Sequence, residues 1–217
     1  MHFITESGSF ETSIDQLTIA GWTGRDATMV QHHIDELAAI GVTPPSRVPL
    51  FYRAAANLLT FEPAIEVLGD ATSGEAEPML IRHDGKVWLG LASDHTDRTL
   101  EATSVAASKQ ICQKPCAAEV WDLDSVADHL DRITIRSWIW ERDSWQLYQD
   151  GSISQILPLQ DLLANAGMAS PSALLCGTFP AVGGVRTSDR FRASMHDPLR
   201  GADIHLEYET LALPIVS

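Results

Sequence analysis

From Thr28 to Ile40 the chain reads TMVQHHIDELAAI, and its apolar positions Met29, Val30, Ile34, Leu37 and Ala38 fall close to the i, i+3/i+4 spacing of one helical face. Gly41 follows as a stop, so an amphipathic helix is expected to end there. The next stretch, TPPSRVPLFYRAA, contains Pro44, Pro45 and Pro49. Each proline lacks a backbone donor and fixes φ, which predicts an extended connector. From Ala64 onward the pattern changes. The runs AIEVLGD, PMLIRHDGKVWLGLAS, RITIRSWIW, WQLYQDG and ADIHLEYETLALPIV are rich in β-branched and aromatic residues with partial alternation, the signature of strands. His83-Asp84-Gly85 separates two of them and predicts a tight hairpin, because Asp-Gly supplies the positive φ of such a turn. Two further helices are expected, at Leu100 to Cys112 and at Leu157 to Ala166. Trp121, Trp138, Trp140 and Trp145 recur near alternation and are read as core or interface. Many short strands with few helices give a β-dominated α+β fold, and with no internal repeat or long linker residues 1–217 read as one domain.

Charge narrows the partners. The 217 residues hold 15 Lys and Arg against 29 Asp and Glu, a formal charge of −14, which argues against nucleic acid or an anionic membrane surface as partner. Cys112, Cys116 and Cys176 are an odd number, and Cys112-x3-Cys116 has no second Cys/His pair downstream, so the cysteines read as small apolar residues in a reducing compartment. No apolar run approaches the roughly 20 residues that span a bilayer, and the start MHFITESGSF lacks a basic export region. The cytoplasm is the expected location.

Three polar groupings can carry chemistry. Glu75 and Glu77 head the run before PMLIR, and residues two apart on a strand point to one face. Two carboxylates held so close repel unless a proton or cation lies between them, and a hard divalent ion is the usual solution; a solvated strand edge is the other reading. Asp94 follows the apolar strand VWLGLA in the cluster SDHTDRTLE, where a strand-end loop would add a third carboxylate, unless Ser93 or Asp94 instead caps the helix beginning near Thr99. On the first helix His33 and Glu36 are three apart and share a face, as a carboxylate orienting a general base would; His32 and Asp35 form a competing pair.

In order along the chain these groups resemble the fumarylacetoacetate hydrolase (FAH) superfamily, and most closely an uncharacterised bacterial branch of it in the stretches IAGWTGRD, SGE and SDHTDR. The family pattern has a Glu-x-Glu pair, an Asp-x3-Arg-x2-Gln loop, and a lysine about twenty residues after that Asp. Glu75, Glu77, Asp94, Arg98, Glu101 and Lys114 fall on those positions. Gly24-Arg25-Asp26, then His33-x-x-Glu36, then Pro49-Leu50-Phe51-Tyr52-Arg53 resemble its mobile lid region, WQLYQDG its strand with Gln149, and CGTFPAVGGV its Thr-Gly loop with Thr178. The resemblance implies an FAH-like mixed β-sandwich roll with a few short helices, residues 1–18 as an N-terminal strand or extension, and a helical lid at about 24–42. It further implies Mg²⁺ or Mn²⁺ on Glu75, Glu77 and Asp94; His33, Glu36 and Lys114 as catalytic residues; Arg25, Arg53, Arg98, Glu101, Gln149 and Thr178 around the substrate; and a homodimer.

The implied activity is a metal-dependent hydrolase that cleaves a C–C or related bond in a 2-oxo acid or 1,3-dicarbonyl-like small molecule. A decarboxylase, hydratase or isomerase would use the same residues, so the His-Glu pair alone does not choose. Two departures stand out: Glu101 where the family has Gln, and Thr99 where an Asp usually follows the Arg. An added carboxylate near the metal would favour an amine or amide on the substrate over a second carboxylate. The altered loop also keeps open a non-catalytic binding or scaffold protein. A cupin-like barrel would need clustered histidines, and the eight here are scattered; His2, His83, His129, His196 and His205 are read as surface or structural.

Overall fold

A computed structural model describes residues 1–39 and 44–216, apart from the side chains of His33, Glu36, Leu37 and Ala39. Two sheets face each other. The six-stranded sheet runs in the order Trp121–Asp122, Lys86–Ser93, Ala76–His83, Ser172–Leu175, Gln16–Gly21, Leu50–Ala54, and the five-stranded sheet in the order Ser144–Ser152, Thr134–Glu141, Arg190–Asp197, Ala202–Leu213, Ala64–Leu68. Between them lies one apolar cluster that includes Leu80, Leu89, Leu91, Ile135, Ile139, Met195 and Ile204. The six-stranded sheet buries its other face too, where Met79, Ile81, Leu17, Ile19 and Leu175 pack against Phe3 of the N-terminal hairpin His2–Thr5/Gly8–Glu11. Burial on both faces explains why PMLI is a continuous apolar run rather than an alternating one. The β-dominated α+β fold expected from the pattern is the fold observed.

The hairpin at Asp84-Gly85 forms as expected. Both residues have positive φ, +46° and +78°, and His83 pairs with Lys86 across the turn. The first helix is found at Ala27–Ala39 and the last at Leu159–Asn165. Residues 40–43, which include the expected stop Gly41, lie outside the described residues. Leu50–Ala54 is extended, as the prolines before it require, and joins the sheet edge beside Gln16–Gly21.

The single helix expected from Leu100 to Cys112 is instead two, Arg98–Glu101 and Val105–Gln110. The break falls at Ser104, whose hydroxyl accepts from Ala107 N at 3.3 Å and so caps a new helix rather than continuing the old one. Among the strands the pattern missed are three within the two large sheets. Gln16–Gly21 and Ser172–Leu175 are buried on both faces and short, so they show no alternation. Arg190–Asp197 does alternate, with Phe191, Ala193 and Met195 inward, but arginines, serine and histidine occupy the other positions. Trp121 is in the core, while Trp138, Trp140 and Trp145 lie half-buried with Arg192 over Trp138 and Trp145 and Arg190 over Trp140. Among the described residues no helix is long and apolar enough to cross a membrane.

Candidate metal centre

Hairpin register creates the site. Ala76 pairs with Ser93 at the open end of the Asp84-Gly85 hairpin, and one step further Asp94 N donates to Glu75 O at 2.9 Å. Glu75 therefore stands opposite Asp94 although nineteen positions separate them in sequence, and Glu77, two residues along, shares the face of Glu75. One carboxylate oxygen from each of Glu75, Glu77 and Asp94 lies within 4.8 Å of the others. Glu77 and Asp94 are buried and Glu75 is half-buried. Helix capping does not consume Asp94. Asp97 caps the helix Arg98–Glu101 by accepting from Leu100 N at 2.8 Å, which leaves Asp94 to face inward.

Two ammonium groups meet Asp94. Lys109 Nζ contacts Oδ2, and Lys114 Nζ lies 3.1 Å from Oδ1 while donating to the backbone oxygen of His95 at 2.5 Å. Lys114 is one of the residues the sequence pointed to; Lys109 was missed. It lies four positions after Val105 on the buried side of its helix, and a lysine at a core-facing position was the available signal. Burial alone would raise the Asp94 carboxyl, but the charges of Lys109 and then Lys114 hold it below the ordinary carboxylate range. Glu77 goes the other way: burial, and then the charge of Asp94, push it well above the usual glutamate range. Burial works against Lys109, yet Asp94, Glu75 and Glu77 together keep its ammonium raised, whereas burial leaves Lys114 lowered.

Arg98 spans the cluster's rim. Its Nη2 lies 3.1 Å from Glu75 Oε1, its Nη1 2.8 Å from Glu101 Oε2, and its Nε donates to Ser73 Oγ at 2.7 Å. Glu101 is thus paired with Arg98 and is not one of the three converging carboxylates. Gln149 reaches the site from the strand Ser144–Ser152, and Thr178 from the loop that follows Ser172–Leu175. Gln149 Oε1 accepts from Ala76 N at 2.9 Å and its Nε2 donates to Thr178 Oγ1 at 2.6 Å and to Phe179 O at 2.9 Å. The Thr178 hydroxyl in turn donates to Ala76 O at 2.9 Å, so both residues grip the backbone between the two glutamates.

Other expected substrate contacts are not brought together here. Arg25 is held in a two-bond pair with Asp131, 2.8 Å on each side, and by Ile156 O. Arg53 is exposed on the edge strand Leu50–Ala54. The side chains of His33 and Glu36 lie outside the described residues. His95, never singled out, proves structural: its two ring nitrogens meet Tyr208 Oη at 2.9 Å and Thr72 Oγ1 at 2.8 Å, and Tyr208 is shared with Ser93, which supports Glu75 N. Burial, and then the positive charge of Lys114, lower its pKa to about 3, so the ring is neutral. The three cysteines are buried and unpaired, as expected of small apolar residues.

The donor set fits a hard divalent cation. All three ligand atoms are carboxylate oxygens, and buried Asp94 Oδ1, close to Lys114 as it is, has no hydrogen-bond partner among the described residues. Comparison with known proteins agrees with the fold. The family described as a protein of unknown function (DUF2848) matches residues 20–208. No curated protein matches the chain in sequence. Among solved structures, an Oleispira antarctica protein provisionally described as a fumarylacetoacetate isomerase/hydrolase superposes with a TM-score of 0.69 at 15% identity, covering 97% of this chain and all of its own (100%). A provisionally described fumarylpyruvate hydrolase from Burkholderia cenocepacia gives 0.64 at 17%, covering 98% and 95%. A 2-keto-3-deoxy-D-arabinonate dehydratase, complexed with magnesium and 2,5-dioxopentanoate, gives 0.65 at 13%, covering 94% and 75%.

Proposed function

The chain belongs to the DUF2848 family and has the fold of these hydrolases and dehydratases, and from that premise we propose that it is a divalent-metal-dependent enzyme of a single domain that hydrolyses a 2-oxo acid or 1,3-dicarbonyl-like small molecule. The observation that carries this reading is the convergence of Glu75, Glu77 and Asp94, with one carboxylate oxygen of each within 4.8 Å of the others, in a largely buried cluster. Glu75, Glu77 and Asp94 would hold Mg²⁺ or Mn²⁺, which would supply Lewis-acid polarisation of substrate oxygens. Lys114 fixes Asp94 and adds positive charge beside the trio, and Gln149 with Thr178 holds the strand head that carries the glutamates. In this reading His33 and Glu36 are the general-base pair, His33 taking a proton from water on a ring nitrogen as the water oxygen attacks the substrate carbonyl. In this reading Arg98 would meet a substrate carboxylate in exchange for its contact with Glu75.

A lyase is the second reading, favoured by the likeness to a dehydratase complexed with magnesium and 2,5-dioxopentanoate. The same His33–Glu36 pair would then move a proton on carbon. Calorimetric titration of the chelator-stripped protein with Mg²⁺ and Mn²⁺, with and without oxalate, tests the shared premise. Metal binding that oxalate tightens supports it, because oxalate mimics an enolised 2-oxo acid; failure of both ions to bind overturns it. Turnover of acylpyruvates against sugar-derived 2-oxo acids then separates hydrolase from dehydratase.

A further inference from the structure

Lys109 and Lys114 do not hold Asp94 in the same way. Lys114 is wholly buried and anchored twice, by Asp94 and by the backbone oxygen of His95, on a segment that pairs in parallel with Leu59–Thr60. Lys109 contacts Asp94 through the oxygen Lys114 does not approach, retains 9% side-chain exposure, and lays its ammonium 5.8 Å from the Tyr52 ring centroid. Its charge is felt by all three carboxylates. Asp94 is its hydrogen-bond partner among the described residues. A monovalent ammonium on a flexible stem, placed on one ligand of an acidic trio, answers the same negative charge that a divalent ion would.

We propose that Lys109 is a built-in counter-cation of the carboxylate trio, one that a divalent metal must displace from Asp94 to bind. The inference rests on the metal-dependent reading above. It makes metal loading an exchange of cations, with Lys109 setting how tightly the ion is held.

The test is titration of chelator-stripped wild type, Lys109→Met and Lys109→Arg with Mn²⁺, alongside the thermal midpoint of each with and without the ion. Methionine keeps the packing beside Tyr52 and removes the charge; arginine keeps the charge. The expected result is Mn²⁺ bound about tenfold or more tightly by Lys109→Met, from loss of one positive charge a few ångströms away, with Lys109→Arg close to wild type. Should Lys109→Met need metal to fold, the rise in its midpoint on adding Mn²⁺ is expected to exceed that of wild type. Equal or weaker binding by Lys109→Met, or an equal or smaller rise, overturns the role of Lys109 while leaving the metal reading intact. Binding by Lys109→Met with none by wild type supports the counter-cation and overturns the metal-dependent activity. Binding by neither overturns both.

Discussion

The backbone N–H of Gly177 donates to Glu77 Oε2 at 2.8 Å, joining residues one hundred positions apart. Gly177 has φ +99°, and a Cβ there would lie 1.8 Å from Thr23 Oγ1 and 3.0 Å from Thr23 Cβ. A side chain would meet both a left-handed backbone and a steric clash. Gly177→Ala is expected to cost about 2–4 kcal/mol in urea unfolding, and to weaken metal binding because Glu77 loses the donor that aims it.

Removing a carboxylate should remove the ion. Glu75→Ala and Asp94→Ala are expected to lose Mg²⁺ or Mn²⁺ and turnover together, measured by metal analysis after gel filtration beside an activity assay. Full metal occupancy in either variant would refute the ligand assignment. Asp94→Ala should also be the less stable by about 3–5 kcal/mol, since it leaves two buried ammonium groups without their carboxylate.

In the proposed metal site Glu77 would link metal binding to protons. Its carboxyl is held well above the ordinary range by burial and by Asp94, so the native, metal-free protein keeps a proton that the unfolded chain has already released. Stability of the metal-free protein should therefore fall as pH rises above the usual glutamate range, and metal affinity should rise over the same interval as the proton is expelled. Titration calorimetry in buffers of different ionisation enthalpy reads the released proton directly; a heat independent of buffer would contradict the assignment.

His95 sets the opposite slope on the acid side. The unfolded histidine takes up a proton below about 6.5, whereas the buried ring, lowered to about 3, does not. The unfolded chain then binds more protons than the native one, so stability falls as pH drops from about 6.5 towards 3, by up to about 1.4 kcal/mol per pH unit. His95→Gln should lower stability at pH 7.5 by loss of its fit between Tyr208 and Thr72, and should flatten the decline between pH 7.5 and 5.5. An unchanged decline would place the acid sensitivity elsewhere.

Gln149 ties three segments through bonds to Ala76 N, Ser137 Oγ, Thr178 Oγ1 and Phe179 O. Gln149→Ala leaves buried donors and acceptors unpaired and is expected to destabilise by about 1–3 kcal/mol. Its thermal midpoint should rise less on metal addition than that of wild type, because the strand head bearing Glu75 and Glu77 is no longer fixed.

The carboxylate trio could be read from the chain because its assembly is local. Asp84-Gly85 demands a tight turn, the turn fixes the register of the two apolar runs, and the register sets Glu75 opposite Asp94 with Glu77 two positions on. Lys114 and the Gln149–Thr178 pair entered through a likeness to a known pattern, since nothing in short-range periodicity relates residues from separate strands. What the tertiary structure alone decided is which distant groups answer the trio's charge. Lys109 reaches Asp94 only because Ser104 restarts the helix and turns it against the edge strand carrying Tyr52. Gly177 reaches Glu77 because Ser172–Leu175 inserts beside Ala76–His83 in the sheet. Arg25 is taken by Asp131, 106 positions away. Hydrophobic spacing reports which face of an element is buried, but the pairing of charges inside the fold depends on long-range packing that no local spacing encodes.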